Sequence, residues 1–121
     1  MKESKGLDFD IDVLLNQIGK MNVMAISGGH VVIDGASYNK DLNTTQEIEL
    51  PVSSGYLVRI TLAWDDTYTV ERVLRRRPKG KSYKETKVLG RVSGVYCDQV
   101  GEIAYRASCY KNLEFGEKVS A

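Results

Sequence analysis

Apolar residues recur at helical spacing near both ends of the chain. The first group is Leu7, Ile11, Leu14, Leu15 and Ile18. The second group is Tyr96, Val100, Ile103, Ala104 and Ala107. Each group forms one stripe along a helix, which predicts helices over about residues 9–19 and 95–109 that pack on a core. Gly101 lies within the second helix, where glycine costs about 1 kcal/mol relative to alanine. We therefore expect another backbone to approach closely there.

Between these helices, apolar and polar residues alternate with the period of β-strands. In the clearest example, residues 56–64, every second residue from Tyr56 to Trp64 is bulky and apolar. Further strands are expected over residues 48–52, 67–76 and 83–89. Pro51 cannot donate a hydrogen bond to a neighbouring strand, so it places the first of these at a sheet edge or near the end of its strand. Turns are expected at Asp65-Asp66 and at Pro78-Lys79-Gly80-Lys81.

A pair of glycines, Gly28 and Gly29, separates two short apolar runs, residues 21–26 and 30–34. Paired glycines supply the positive φ angles of a tight turn, so we expect a β-hairpin here. A phosphate-binding turn at the same place is disfavoured because no helix is expected after it and no P-loop lysine follows. Residues 35–46 are polar without periodicity and are expected to form a surface loop.

These elements predict an α+β fold. It has a mostly antiparallel sheet of four to six strands, with an N-terminal and a C-terminal helix packed on one face. The row from Tyr56 to Trp64 is expected to lie on that face, and the other face is left free for a partner. The 121 residues are expected to form a single domain, 1–121. Its core covers about residues 7–110, and residues 111–121 are expected to be a flexible tail.

The composition is that of an ordinary folded protein, 42% hydrophobic and 27% charged. No segment approaches the roughly 20 apolar residues of a membrane span. The first residues lack the apolar core of a secretory signal. We therefore expect a cytoplasmic protein that makes no contact with a membrane.

Few residues of this chain suggest catalysis, and we expect a protein that is not an enzyme. Cys97 and Cys109 would lie about 18 Å apart on one helix, too far for a disulfide, so reduced thiols are expected. His30 is the one histidine, and no CxxC spacing occurs, so neither a metal nor another cofactor is expected. Carboxylates that invite a magnesium interpretation are more typical of a turn and of a solvated helix face. They are Asp65, Asp66, Asp98 and Glu102.

Charge is concentrated in one segment, although the chain as a whole has a net charge of only +1. Residues 71–84 contain seven basic residues and one glutamate, whereas residues 1–70 sum to −5. A projecting basic β-ribbon can enter a groove or follow a phosphate backbone. We therefore predict that DNA or RNA binds this hairpin. The predicted interface comprises Arg72, Arg75, Arg76, Arg77, Lys79, Lys81, Tyr83 and Lys84.

Two alternatives stay open for the basic hairpin. Hairpin tips are often charged only because they are solvated, and the same residues could instead contact a protein or a second copy of this chain. The seven tyrosines allow a similar choice, because a tyrosine can line an interface or lie at the edge of a core. A homo-oligomer is therefore compatible with the sequence.

Several strings carry a resemblance to a known family. They are Asn16-Gln17-Ile18-Gly19, the run from Asn22 to Gly29, Leu50-Pro51-Val52, the run from Asp66 to Val70, Val95-Tyr96-Cys97-Asp98 and the run from Ala104 to Cys109. Together they resemble small proteins encoded by tailed bacteriophages, notably those of mycobacteria and related actinobacteria, and by prophages. The resemblance spans residues 13–113 but leaves out the 35–46 loop and the hairpin tip.

This resemblance implies a biological context but identifies no functional residue. The family has no assigned activity, so it transfers no catalytic or binding residue to this chain. It implies a phage accessory protein in the cytoplasm of a host bacterium. A non-enzymatic protein that binds nucleic acid through its basic hairpin is the leading hypothesis. The alternative is a host-takeover or anti-defence module that binds a host bacterial protein or a small nucleotide signal.

Overall fold

The computed structural model describes residues 6–77 and 79–118. Within them the chain forms three helices, a five-stranded antiparallel sheet and a separate two-stranded sheet. The predicted α+β class is therefore confirmed, with helices near both ends of the chain.

The first helix, α1 (Ile11–Ile18), starts where the sequence provides a cap. The Asp10 carboxylate accepts hydrogen bonds from the backbone N–H groups of Asp12 and Val13 at 2.9 and 3.2 Å. These bonds satisfy two of the donors that a helix start leaves unpaired. The predicted helix is confirmed, although residues 9 and 10 belong to a short strand instead.

The prediction of a strand over residues 21–26 is wrong, because a second helix, α2 (Lys20–Ser27), occupies this segment. Its buried residues Val23, Ile26 and Ser27 follow helical spacing. Gly28 has a φ of 64° and ends the helix, donating its backbone N–H to the Met24 carbonyl at 2.9 Å. The glycine pair is thus a helix terminus rather than a hairpin turn.

The five-stranded sheet is an antiparallel meander with one short strand at its edge. Its strands are β2 (Val32–Ile33), β4 (Glu47–Pro51), β5 (Tyr56–Leu62), β6 (Tyr68–Arg76) and β7 (Glu85–Val95), in that spatial order. The smaller sheet pairs β1 (Phe9–Asp10) with β3 (Thr44–Thr45), which lies inside the expected loop. Pro51 is the last residue of β4, as its missing N–H predicts.

One face of the large sheet lies against the helices and forms the core. Ile48, Ile60 and Val70 lie opposite one another on adjacent strands, and all three are fully buried. The expected row is only partly on this face, because Trp64 is 78% exposed. β5 ends at Leu62, and the backbone N–H of Asp66 then closes a turn onto the Ala63 carbonyl at 3.0 Å.

The C-terminal helix, α3 (Val100–Ser108), is shorter than predicted. Tyr96 precedes it and is 63% exposed, whereas Val100, Ala104 and Ala107 are buried. A Cβ atom at Gly101 would overlap the carbonyl oxygen of Ile18 at the end of α1. The expected close approach of another backbone is therefore confirmed.

The residues after α3 pack against the sheet, in contrast to the expected tail from residue 111. Phe115 is buried in the core, and Glu117 exchanges two backbone hydrogen bonds with Arg91 of β7 at 2.8 and 2.9 Å. Gly90 leaves room for this segment, because a Cβ there would overlap the Phe115 carbonyl oxygen. Residues 119–121 of the expected tail lie outside the described residues.

Candidate functional site

The β6–β7 hairpin carries the predicted interface at its end. The strands pair as far as Arg76 and Glu85, which leaves residues 77–84 as the tip. Gly80 has a φ of 80°, the conformation that glycine adopts without strain in a turn. Pro78 of the predicted turn lies outside the described residues. Five of the eight predicted residues lie in the tip, and all five are exposed: Arg77, Lys79, Lys81, Tyr83 and Lys84.

Arg72 lies in the core, not on the hairpin surface. It is opposite Val58 on the helix-covered face and only 3% exposed. Its guanidinium donates to four backbone carbonyls around the end of α3 at 2.6 to 3.0 Å: those of Arg106, Ala107, Cys109 and Asn112. Burial lowers the pKa of Arg72 from its usual value, and the nearby Cys109 opposes this shift. Arg72 therefore caps a helix C-terminus, where a cation is favourable.

Arg75 points to the opposite, uncovered face, where it forms an ion pair with Glu49. Its two terminal nitrogens donate to both carboxylate oxygens of Glu49 at 2.9 and 2.8 Å. Its Nε donates to the Thr86 hydroxyl at 3.1 Å. The hydrogen bond with Glu49 raises the pKa of Arg75, against the effect of burial. A planar, two-pronged pair of this kind leaves little of the charge for an external anion.

Arg76 joins an aromatic cluster at the base of the hairpin. Its Nε donates to the Ser54 carbonyl at 2.9 Å, and its guanidinium carbon lies 5.4 Å from the centre of the Tyr56 ring. Tyr56 stacks on Tyr110, with ring centres 4.2 Å apart and planes 9° from parallel. We call these two residues the tyrosine stack. The Tyr110 hydroxyl lies 3.1 Å from that of Ser53, and this hydrogen bond lowers the pKa of Tyr110.

A cleft of about 280 Å³ lies beside the tyrosine stack. Its lining comprises Leu74, Arg76, Arg77, Glu85 and Lys87. Leu74 is directly opposite Tyr56 on one side and Lys87 on the other, and directly opposite residues share a sheet face. This hairpin cleft and the tyrosine stack therefore lie on the same side of the sheet as the helices.

The uncovered face of the sheet carries a row of alternating charges that sequence reasoning missed. The row, here called the Arg–Glu ladder, crosses four strands as Glu49, Arg59, Glu71 and Arg91. Glu71 is central, because Arg59 and Arg91 donate to its two oxygens at 2.8 Å each. With Glu47 and Arg75 nearby, three acids and three arginines line a hollow of about 450 Å³. Their charges sum to zero, so this face has no net attraction for an anion.

The carboxylates outside the ladder do not gather into a metal site. Asp65 accepts hydrogen bonds from the hydroxyl and the backbone N–H of Thr67 at 2.6 and 3.2 Å, and the hydroxyl contact lowers its pKa. Glu102 pairs with Arg106 one helical turn later. Across residues 6–77 and 79–118, no three His, Cys, Asp or Glu side chains are grouped to hold a metal ion.

Cys97 and Cys109 are both free and exposed. No helix in the described part of the chain is long and apolar enough to cross a bilayer.

The basic residues of the tip differ from Arg75 and from the arginines of the Arg–Glu ladder, which are paired with glutamates. In the part of the chain that the structure describes, no carboxylate forms an ion pair with Arg77, Lys79, Lys81 or Lys84. The protein matches no family model, no curated protein and no solved structure.

Proposed function

We propose that this protein binds nucleic acid through the tip of the β6–β7 hairpin. The observation that carries the proposal is the set of four exposed cations in residues 77–84, a segment that contains no aspartate or glutamate. Phosphate groups attract such a cluster because binding releases the cations condensed on the nucleic acid. The tip follows the last paired residues of β6 and β7, Arg76 and Glu85, so these charges lie at one end of the sheet.

The charge of the rest of the chain supports an approach of nucleic acid to the tip. Residues 1–70 sum to −5, so they repel a polyanion while the tip attracts it. Arg72 and Arg75 drop out of the proposed interface, because one caps α3 and the other is paired with Glu49. The proposed contacts are therefore Arg76, Arg77, Lys79, Lys81, Tyr83 and Lys84.

We further propose a setting for this activity, the cytoplasm of a bacterium infected by a phage. The support is the resemblance of strings within residues 13–113 to phage-encoded proteins. A host protein or small nucleotide at the uncovered sheet face is the second candidate. It has less support, because the arginines of the Arg–Glu ladder are already paired with glutamates.

The test compares two variants that remove equal charge. Lys79→Ala/Lys81→Ala/Lys84→Ala changes the tip, whereas Lys20→Ala/Lys40→Ala/Lys118→Ala changes exposed lysines elsewhere. Fluorescence anisotropy with a labelled oligonucleotide measures affinity across a salt series. We expect the tip variant to bind roughly tenfold more weakly or worse, and its log–log salt slope to be shallower by roughly 2 to 3.

The control variant separates a local interface from a general effect of charge. We expect its affinity and salt slope to stay close to those of the unmodified protein. Equal losses in both variants would show that the tip has no special role. Absence of binding by the unmodified protein at low salt would end the proposal.

A further inference from the structure

We infer that the nucleic acid is single-stranded, and that one of its bases stacks on the tyrosine stack beside the hairpin cleft. This inference rests on the proposed function and specifies its ligand. It places the bound strand on the helix side of the hairpin. The tip cations then contact phosphates of the same strand.

The tyrosine stack has the composition and position of a base-stacking platform. Tyr56 and Tyr110 are each partly exposed, and their nearly parallel rings already form a two-layer stack. Bases stack on aromatic side chains with about 1–3 kcal/mol per base, largely independent of sequence. The neighbouring Arg76 guanidinium adds a cation next to the same rings. This arrangement favours a planar aromatic ligand, such as a nucleobase, that adds a third ring to the stack.

The hairpin cleft provides the matching contacts for sugar and phosphate. Leu74 is its apolar member, and Arg76, Arg77 and Lys87 line it as cations. Glu85 is the one acid in that lining, so the cleft keeps a net positive charge. Because Arg77 belongs to both the cleft and the tip, a single backbone can follow the cations from one to the other.

A duplex does not fit this combination. Its bases are covered by their neighbours above and below, whereas the bases of a single strand can turn outward onto an aromatic ring. The uncovered face offers no alternative platform, because the lining of its hollow contains no aromatic residue and its arginines are paired. The surface therefore selects a strand with unpaired bases.

Removal of the bases alone is the sharpest test. The unmodified protein is titrated with a labelled oligodeoxythymidine, with an abasic strand of the same length and with a duplex. The abasic strand keeps the phosphates, so any difference from oligodeoxythymidine reports contacts to bases. We expect the abasic strand to bind at least fivefold more weakly, the factor that corresponds to about 1 kcal/mol. We expect the duplex to bind more weakly as well.

Variants locate the base contact. Tyr110→Leu keeps an apolar side chain but removes the ring, and we expect its affinity for oligodeoxythymidine to fall to that for the abasic strand. Tyr110→Phe keeps the ring and should bind like the unmodified protein. Tyr96→Leu is the matched control, because Tyr96 follows the other end of β7, away from the tip, and its ring is 63% exposed. Photo-crosslinking of an iododeoxyuridine strand should label Tyr110 or Tyr56.

The outcomes separate this inference from the proposed function. Equal affinity for the abasic and thymidine strands, or crosslinking to Tyr83 instead, would overturn the stacking inference and leave phosphate binding by the tip intact. Failure of every nucleic acid to bind at low salt would remove both.

Discussion

At the scale of single residues, Arg72 shows how the environment assigns a different role to the same side chain. It is the same residue type as Arg77, yet it donates to four carbonyls around the end of α3, and its guanidinium carbon lies 5.0 Å from the centre of the Phe115 ring. Side chains along β6 alternate between the two faces of the sheet, so every second residue shares a face. Arg72 therefore shares its face with Tyr68 and Val70, which are buried in the core. A count of charges ignores this alternation and places Arg72 on the surface.

We predict that Arg72→Met lowers the free energy of unfolding by roughly 3 kcal/mol, because methionine fills part of the site but removes the donor to the buried Ala107 carbonyl and the other three hydrogen bonds of the guanidinium. Urea denaturation followed by circular dichroism measures this change. Arg77→Met removes the same group from an exposed position, and we expect a change within about 0.5 kcal/mol. Similar effects of the two substitutions would contradict the helix-capping role.

At the scale of elements, the sheet follows from the sequence better than the helices do. In β4 and β5, apolar residues on the covered face alternate with residues on the uncovered face, so the period of 2 is visible in the sequence. Helix α2 contains residues 21–26, for which the sequence predicts a strand. Five of these six residues are apolar, so the run shows a period of neither 2 nor 3.6. Gly28 and Gly29 favour a hairpin turn in the sequence, although glycine is also common at the C-terminal end of a helix.

The candidate site was predictable only in part for a related reason. Its charge density is local and can be counted along residues 77–84. Tyr56 is the first residue of β5, and Tyr110 is the second residue after α3. No pattern within either segment indicates that the two rings stack. Contacts between distant segments depend on the register of the sheet and on where α3 ends.

The contact between α1 and α3 leads to a prediction about Gly101. Alanine is favoured over glycine in a helix by about 1 kcal/mol. We nevertheless expect Gly101→Ala to lower the free energy of unfolding by roughly 1–3 kcal/mol, because its Cβ would overlap the Ile18 carbonyl. Gly35→Ala is the control, since nothing lies within 4 Å of a Cβ there. Urea denaturation compares the two, and a stabilised Gly101→Ala would refute close packing at this position.

At the scale of the whole molecule, the segment after α3 completes the core. Phe115 packs against Gly90 of β7 and beside the Arg72 guanidinium. The sequence does not indicate this, because two apolar residues, Leu113 and Phe115, among polar residues and glycine are too few to show a period. The surrounding segment therefore resembled a flexible tail. Its position became evident only from the space that Gly90 leaves on the sheet.

Two neighbouring apolar residues test whether this segment stabilises the fold. Phe115 is 7% exposed, whereas Leu113 is 80% exposed. We expect Phe115→Ala to lower the free energy of unfolding by about 3–4 kcal/mol, since it removes a buried ring. Leu113→Ala should change it by less than about 0.5 kcal/mol. Thermal and urea denaturation distinguish the two, and a negligible effect of Phe115→Ala would mean that the segment is peripheral.

The Arg–Glu ladder has a consequence for how the sheet assembles. If β6 slipped by two residues, each of its side chains would still lie on the same face of the sheet, so the alternation of faces alone would not prevent the error. The ladder opposes such a slip, because Glu71 would move away from Arg59 and Arg91 and lose its hydrogen bonds to both. The charged residues of the uncovered face thereby favour one register of the strands, although they contribute nothing to the apolar core.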